Sequence, residues 1–208
     1  MRMTAAKMCR PYRTRLLLAS ESPRRRVLLA RLVEEFTVEA SAVEEIAEAS
    51  DMSPVEIAAA NAAAKADAVA QKHPGDWVLG ADTVVVLDNR AYGKPRDLDE
   101  ARDFLMKFSG RTHEVVTAVA LRNIERNAKD DFTAVSQVKF RKLDAETVEE
   151  YLAVVPVLDK AGAYGIQEHG DMLVESVEGE VENIIGLPVK ALAEHFKKLD
   201  AGSDIVIK

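Results

Sequence analysis

The amino-acid sequence predicts an α/β fold, and three observations predict it. An apolar run, Leu16 to Ala19, leads straight into a helix start at Ser22-Pro23. Strand-like apolar runs then alternate with segments of helical spacing along the chain. At 208 residues and 48% hydrophobic content there is enough material for one large domain or two modest lobes around a buried sheet.

Each element has a local reason. Leu16 to Ala19 reads as a core strand; Ser22 is a good N-cap and Pro23 fits the first helical position, where a missing N–H costs nothing, so a helix runs on through Val27, Leu28, Leu29 and Leu32. Phe36 to Ala40 reads as a short strand, followed by an acidic loop around Val43-Glu44-Glu45. Ser53-Pro54-x-Glu56 is a capping-box start for an alanine-rich helix to about Lys72, ended by His73-Pro74-Gly75-Asp76. Trp77 to Leu87 is a long apolar strand that Gly80-Ala81-Asp82-Thr83 is expected to interrupt, and Asp88-Asn89-Arg90 marks a hairpin turn. Asp97 caps a helix bearing Ala101, Phe104, Leu105 and Phe108. Strands near Glu114 to Leu121 and Phe132 to Phe140, a helix from Asp144 to Val154, a strand near Met172 to Val177 and a helix from Pro188 to Lys198 complete the order.

Composition narrows the function. A net charge of −7 argues against binding of nucleic-acid polymers, so a local basic cluster is all the more informative. The single cysteine, Cys9, cannot close an internal disulfide, which points to a reducing compartment and a cytoplasmic protein. No apolar stretch approaches the ~20 residues that span a bilayer, so no membrane partner is expected. Residues 1–14, with Arg2, Lys7, Arg10 and Arg13 and no acidic residue, read as a disordered basic extension to a single two-lobed domain over 15–208.

Two features conflict with their surroundings. Arg24, Arg25 and Arg26 occupy the first turn of a helix, where the macrodipole disfavours cations by roughly 0.3–1 kcal/mol each. A phosphate chain held by the helix N–H groups, Ser20, Ser22 and the guanidinium groups resolves the conflict; surface pairing with Glu21, Glu34 or Glu35 is the plainer explanation. If the arginines serve a ligand, removing either should leave the empty protein no less stable. Asp82 is the second conflict, a carboxylate between Val78-Leu79 and Val84-Val85-Val86 that must be paired, metal-bound or facing a cleft. Its plainer role is to bond its own backbone at a strand kink beside Gly80. Lys94, in Gly93-Lys94-Pro95-Arg96-Asp97, projects just before a helix N-terminus, although most loop lysines are merely solvated. Lys65 among alanines is by itself best read as a snorkelling lysine, and Glu45, in a run with Glu44 and Glu48, as part of a solvated face. Gln167 follows the glycine-punctuated Gly162-Ala163-Tyr164-Gly165-Ile166, where backbone can approach a ligand closely.

Six blocks in order, Leu18-Ala19-Ser20-x-Ser22-Pro23-Arg24-Arg25, Leu79 to Val85, Gly93 to Asp97, Leu105 to Ala120, Asp159 to Gln167 and Asn183 to Val189, make the chain resemble the Maf family of nucleotide pyrophosphatases from about Leu16 to His195. The resemblance implies a two-lobed fold around an elongated mixed sheet, similar to inosine triphosphate pyrophosphatases, with the active site in the cleft between lobes. It implies hydrolysis of dTTP and UTP, and of some modified pyrimidine nucleotides, to the monophosphate and pyrophosphate with a divalent cation (Mg²⁺, or Mn²⁺ or Co²⁺). A non-catalytic nucleotide-binding regulator of cell division and a 7-methyl-GTP pyrophosphatase are the rival functions. Asp82 matches the family's proton acceptor, and Glu45, Lys65 and Lys94 match polar residues of the pocket, the alternative being that Asp82 and Glu45 share the cation as its ligands. Arg24, Thr83 and Gln167 match the positions of pyrimidine preference, and Ser20, Ser22 and Arg25 complete the substrate-binding set. A homodimer is the assembly considered. Two departures stand out: Glu168-His169 replaces a glycine common after G-I-Q, and the loop Ser41 to Glu45 lacks the usual aspartates, leaving Glu44 as the alternative to Glu45.

Overall fold

A computed structural model describes residues 15–47, 51–199, 205, 207 and 208. The basic segment 1–14 and Glu48 lie outside the described residues. In chain order the elements are β1 (Leu16–Leu18), α1 (Pro23–Leu32), β2 (Thr37–Val38), α2 (Pro54–Ala70), β3 (Trp77–Leu87), β4 (Arg90–Tyr92), α3 (Leu98–Phe108), β5 (Thr112–Asn123), β6 (Ala128–Phe140), α4 (Ala145–Val154), α5 (Gly170–Leu173), β7 (Val174–Glu178), α6 (Val181–Ile185) and α7 (Val189–Leu199), with a 3₁₀ turn at Ala161–Ala163. The caps read from the sequence are present, Ser22, Ser53 with the full capping box to Glu56, and Asp97; Asp144, read as the first residue of its helix, is the N-cap of α4. Asp88 and Asn89, at φ 53° and 57°, make the tight turn between β3 and β4, a conformation these two residue types tolerate.

The described strands form one mixed seven-stranded sheet in the order β2-β1-β3-β5-β6-β7, with β4 added to β3. Along one edge β3 pairs continuously with β5, from Val78↔Arg122 to Val86↔Glu114. On its other edge β1 runs parallel to Trp77–Leu79 while β4 runs antiparallel to Val85–Leu87. Both neighbours share that edge, so the sheet forks and the stretch from Gly80 to Val84 has no strand beside it there. The expected interruption of β3 does not occur. Gly80 to Thr83 keep their register with Ala120 to Thr117, because Asp82 finds its partners on α2 and not in its own backbone.

Three apolar clusters hold the sheet. One surrounds the far half of β3 with Phe108, Phe140, Tyr151 and Leu173. A second joins β1 and the near half of β3 to α1 and α7 through Leu28, Leu29, Leu192 and Phe196. The third packs Ala58, Ala62 and Ala66 of α2 on Val78, Val84 and Ala118. The alanines allow close approach, and Gly80 makes it closer still, since a Cβ there would lie 2.3 Å from the Ala62 carbonyl oxygen and 2.7 Å from the Ala66 nitrogen. Strand β6 begins at Ala128, before the expected Phe132, because Asp131 is drawn in with Asp67 to neutralise the buried Arg122 of β5. Among the described residues no helix is long and apolar enough to cross a membrane.

Candidate active site

A cleft of about 1290 Å³ opens where the sheet forks, lined from one side by the turn between β1 and α1 and from the other by the segment 159–168. The ten residues assigned to catalysis or substrate binding line it, Ser20, Ser22, Arg24, Arg25, Glu45, Lys65, Asp82, Thr83, Lys94 and Gln167, while Arg26 and Glu44 do not. The position is that of a topological switch point, outside the carboxyl end of β1 and beside the start of a helix.

The basic side departs from the simple cradle. Ser22 caps α1 through Oγ, which accepts from Arg25 N at 3.4 Å, while Ser20 Oγ accepts from Ser22 N at 3.2 Å. Arg25 turns inward: its Nε donates to the Gly186 carbonyl (2.9 Å), Nη1 to Ser20 Oγ (3.2 Å) and Nη2 to Thr83 Oγ1 (3.0 Å). Burial lowers its pKa, although Asp82 and Glu45 oppose the shift. Arg24 reaches across the cleft to Asp159, with Nη1 2.7 Å from the carboxylate and Nη2 3.1 Å from the carbonyl. Arg24 is thus paired with Asp159 on the opposite wall, whereas Arg25 is held by the neutral acceptors of Gly186, Ser20 and Thr83. Thr83 extends this wiring. Thr117 Oγ1 donates to the Asn183 carbonyl (3.0 Å), so the 2.9 Å contact between the two threonines has Thr83 as donor. With its proton committed and Arg25 already bonded, the Thr83 oxygen can only accept from anything else that reaches it.

On the other face of β3, Asp82 is 14% exposed and Lys65 of α2 is 8% exposed, with Nζ 2.7 Å from Asp82 Oδ1. Glu45 Oε1 meets the same nitrogen at 2.8 Å. The plainer readings of Asp82 and Lys65 therefore do not hold, and Glu45, half exposed, rather than Glu44, is the residue that reaches Lys65. Partial burial pushes the Glu45 pKa up, but Lys65, Lys94 and Arg25 together outweigh it and hold the carboxyl below its ordinary value. Lys94 and Gln167 are exposed at the cleft wall.

Two groups of residues went unnoticed in the sequence. Lys160, 4% exposed, binds Asp159 (2.8 Å), Glu168 (3.1 Å) and the Pro156 carbonyl (2.6 Å), so the charge that Glu168 brings to the pocket is neutralised. Gly165 packs on the Lys160 stem, where a Cβ would lie 2.9 Å from Cε. Asn61, one turn before Lys65, touches Asp82 as well. Its signal was available: a lone polar residue four positions before a lysine on an otherwise alanine face.

No group of three or more His, Cys, Asp or Glu that could hold a metal alone occurs among the described residues. Mg²⁺ commonly uses only one or two carboxylates and completes its shell with water and phosphate oxygens. Asp82 and Glu45, both drawn to one ammonium, fit such a cation when phosphate supplies the remaining oxygens.

The family model described as Maf-like protein matches residues 15–199. A protein of Akkermansia muciniphila named dTTP/UTP pyrophosphatase is 47% identical over 175 residues, covering 84% of this chain and 91% of its own. One of the same name from Clostridioides difficile is 42% identical over 183 residues, with coverage of 88% and 94%. Among solved structures, the Staphylococcus aureus Ham1 protein is similar in fold, with a TM-score of 0.50 at 14% identity over 89% of this chain and 100% of that one.

Proposed function

The chain belongs to the Maf-like protein family, and on that premise we propose that it is a nucleoside triphosphate pyrophosphatase, hydrolysing dTTP and UTP to the monophosphate and pyrophosphate. The observation that carries the reading is the meeting of Asp82, Lys65 and Glu45 in a cleft that Ser20, Ser22 and Arg24 also line.

Water attacks the α-phosphorus; the new P–O bond forms as the bond to the bridging oxygen of the β-phosphate breaks, and pyrophosphate leaves. Asp82 takes the proton from the water. Its two oxygens already accept from Lys65 and Asn61, which fixes the carboxylate plane and leaves lone pairs for that proton. Arg24 exchanges Asp159 for the phosphate chain, and Lys94 adds a second positive charge against the leaving group. Glu45 and Asp82, together with the phosphates, would hold a divalent cation, Mg²⁺ or in its place Mn²⁺ or Co²⁺, which would supply further charge neutralisation. Gln167 presents a donor and an acceptor on one amide, as the imide edge of uracil or thymine requires, and Thr83 is held beside the cleft as an acceptor. One cysteine in 208 residues suits a cytoplasmic setting.

The test is product analysis after incubation with dTTP or UTP and Mg²⁺, alongside a panel that includes 7-methyl-GTP. Monophosphate and pyrophosphate are expected. Release of orthophosphate, preference for the methylated purine, or binding without turnover each overturns the proposal.

A further inference from the structure

We propose that Asn61 is a positioning residue that ties the Glu45 loop to Asp82 and so assembles the two carboxylates of the site. The inference rests on the hydrolytic reading above. Residues 41–47 have no regular secondary structure, so nothing in the sheet fixes Glu45. Asn61 does so from α2. Its Oδ1 accepts from the Ile46 N–H at 2.8 Å and its Nδ2 donates to the Ile46 carbonyl at 3.0 Å, a paired contact of the kind one strand makes with another. The remaining Nδ2 hydrogen goes to Asp82 Oδ2 at 3.2 Å.

The side chain is 5% exposed, and its orientation is determined by chemistry. Turning the amide over would set an oxygen against both the Ile46 carbonyl and Asp82 and a donor against the Ile46 N–H, losing all three bonds. A short, buried, three-bonded amide therefore sets the distance between the Glu45 backbone and the Asp82 carboxylate. Lys65 cannot do this alone, because its long stem can follow either carboxylate independently.

The test combines activity with a local structural readout, both on the full chain with dTTP and Mg²⁺. Asn61→Leu should lower kcat at least tenfold while KM for dTTP changes less than threefold, and the Ile46 amide should exchange its hydrogen at least tenfold faster. Glu45→Gln should cost activity in the parent but little more in the Asn61→Leu background, since the loop has already lost its tether. Fully additive losses in the double substitution, or unchanged exchange at Ile46, overturn the inference while an active parent leaves the hydrolytic reading intact. A parent that releases no pyrophosphate overturns that reading and the inference with it.

Discussion

Gly80→Ala perturbs the site without touching a polar atom. The added Cβ would lie 2.3 Å from the Ala62 carbonyl oxygen, 2.7 Å from the Ala66 nitrogen and 3.0 Å from the Ala66 Cβ. Ordinary carbon–oxygen contacts begin near ~3.3 Å, so α2 must lift by roughly 1 Å. All three obstructing atoms belong to backbone or to an alanine, so no rotamer change relieves the contact. Overpacking of this kind costs about 1–3 kcal/mol, and at this chain length each kcal/mol lowers the melting temperature by roughly 2–4 °C. The same lift takes Asn61 Nδ2 from 3.2 Å to about 4 Å from Asp82, beyond hydrogen-bond range. A displacement near 1 Å can cost on the order of 100-fold in rate, so turnover should fall further than the stability change alone explains. Thermal melts and pyrophosphate release from dTTP measure the two effects. Gly93→Ala is the control, because nothing lies within 4 Å of a Cβ there. If Gly80→Ala matched the parent in both measurements, the helix would not be what holds Asn61 and Lys65 against Asp82.

The two arginines should separate. Arg24→Ala removes a partly exposed pair worth at most about 1 kcal/mol to the empty protein, yet weakens dTTP binding about tenfold or more, whereas Arg25→Ala strands three acceptors and lowers apo stability by roughly 2 kcal/mol. Melts with and without nucleotide would contradict this if both variants behaved alike. Asp82→Asn should abolish turnover and leave nucleotide affinity within about tenfold, as measured by calorimetry; near-parental turnover would return Asp82 to a structural role. His113, buried among Phe108, Phe140 and Tyr164, has its pKa pushed down to about 4 by desolvation. Its stabilising contribution is complete above the unfolded value of 6.5 and is lost as pH falls toward 4, about 2 kcal/mol of it between pH 7 and pH 5. Urea titrations of the parent and of His113→Phe at both pH values should show this loss in the parent alone; equal losses in both would rule His113 out as its source.

Much of the fold was legible because its elements carry local signals. Ser22-Pro23, the box from Ser53 to Glu56, Asp97 and Asp144 each mark a helix start by chemistry that acts within three residues. The short helices α5 and α6 were missed since neither is long enough to show a period, and α5 follows His169 in a left-handed conformation that the sequence does not announce. At the site, Asp82 was conspicuous for its apolar neighbours. Its partners were not: Lys65 and Asn61 sit 17 and 21 residues away, and Arg24 meets Asp159 across 135. Such pairings depend on which helix packs over which strand. Lys160 was hidden for the same reason, since a buried lysine is recognisable only once Asp159, Glu168 and the Pro156 carbonyl surround it.

The fork in the sheet makes the length of the cleft a count of residues. Strand β1 ends its pairing at Leu79 and β4 begins at Val85, and both are fixed to the same β3. Six residue steps of a strand span about 20 Å, a rise that backbone geometry scarcely allows to stretch. The strand is therefore a ruler laid between the two walls. Because Asp82 and Thr83 are adjacent marks on it, they must look out from opposite faces, one toward Lys65 and the other toward Arg25. Inserting a single residue between Gly80 and Asp82 would lengthen the ruler by about 3.3 Å and exchange those faces, turning the carboxylate toward the arginine and the hydroxyl toward the lysine.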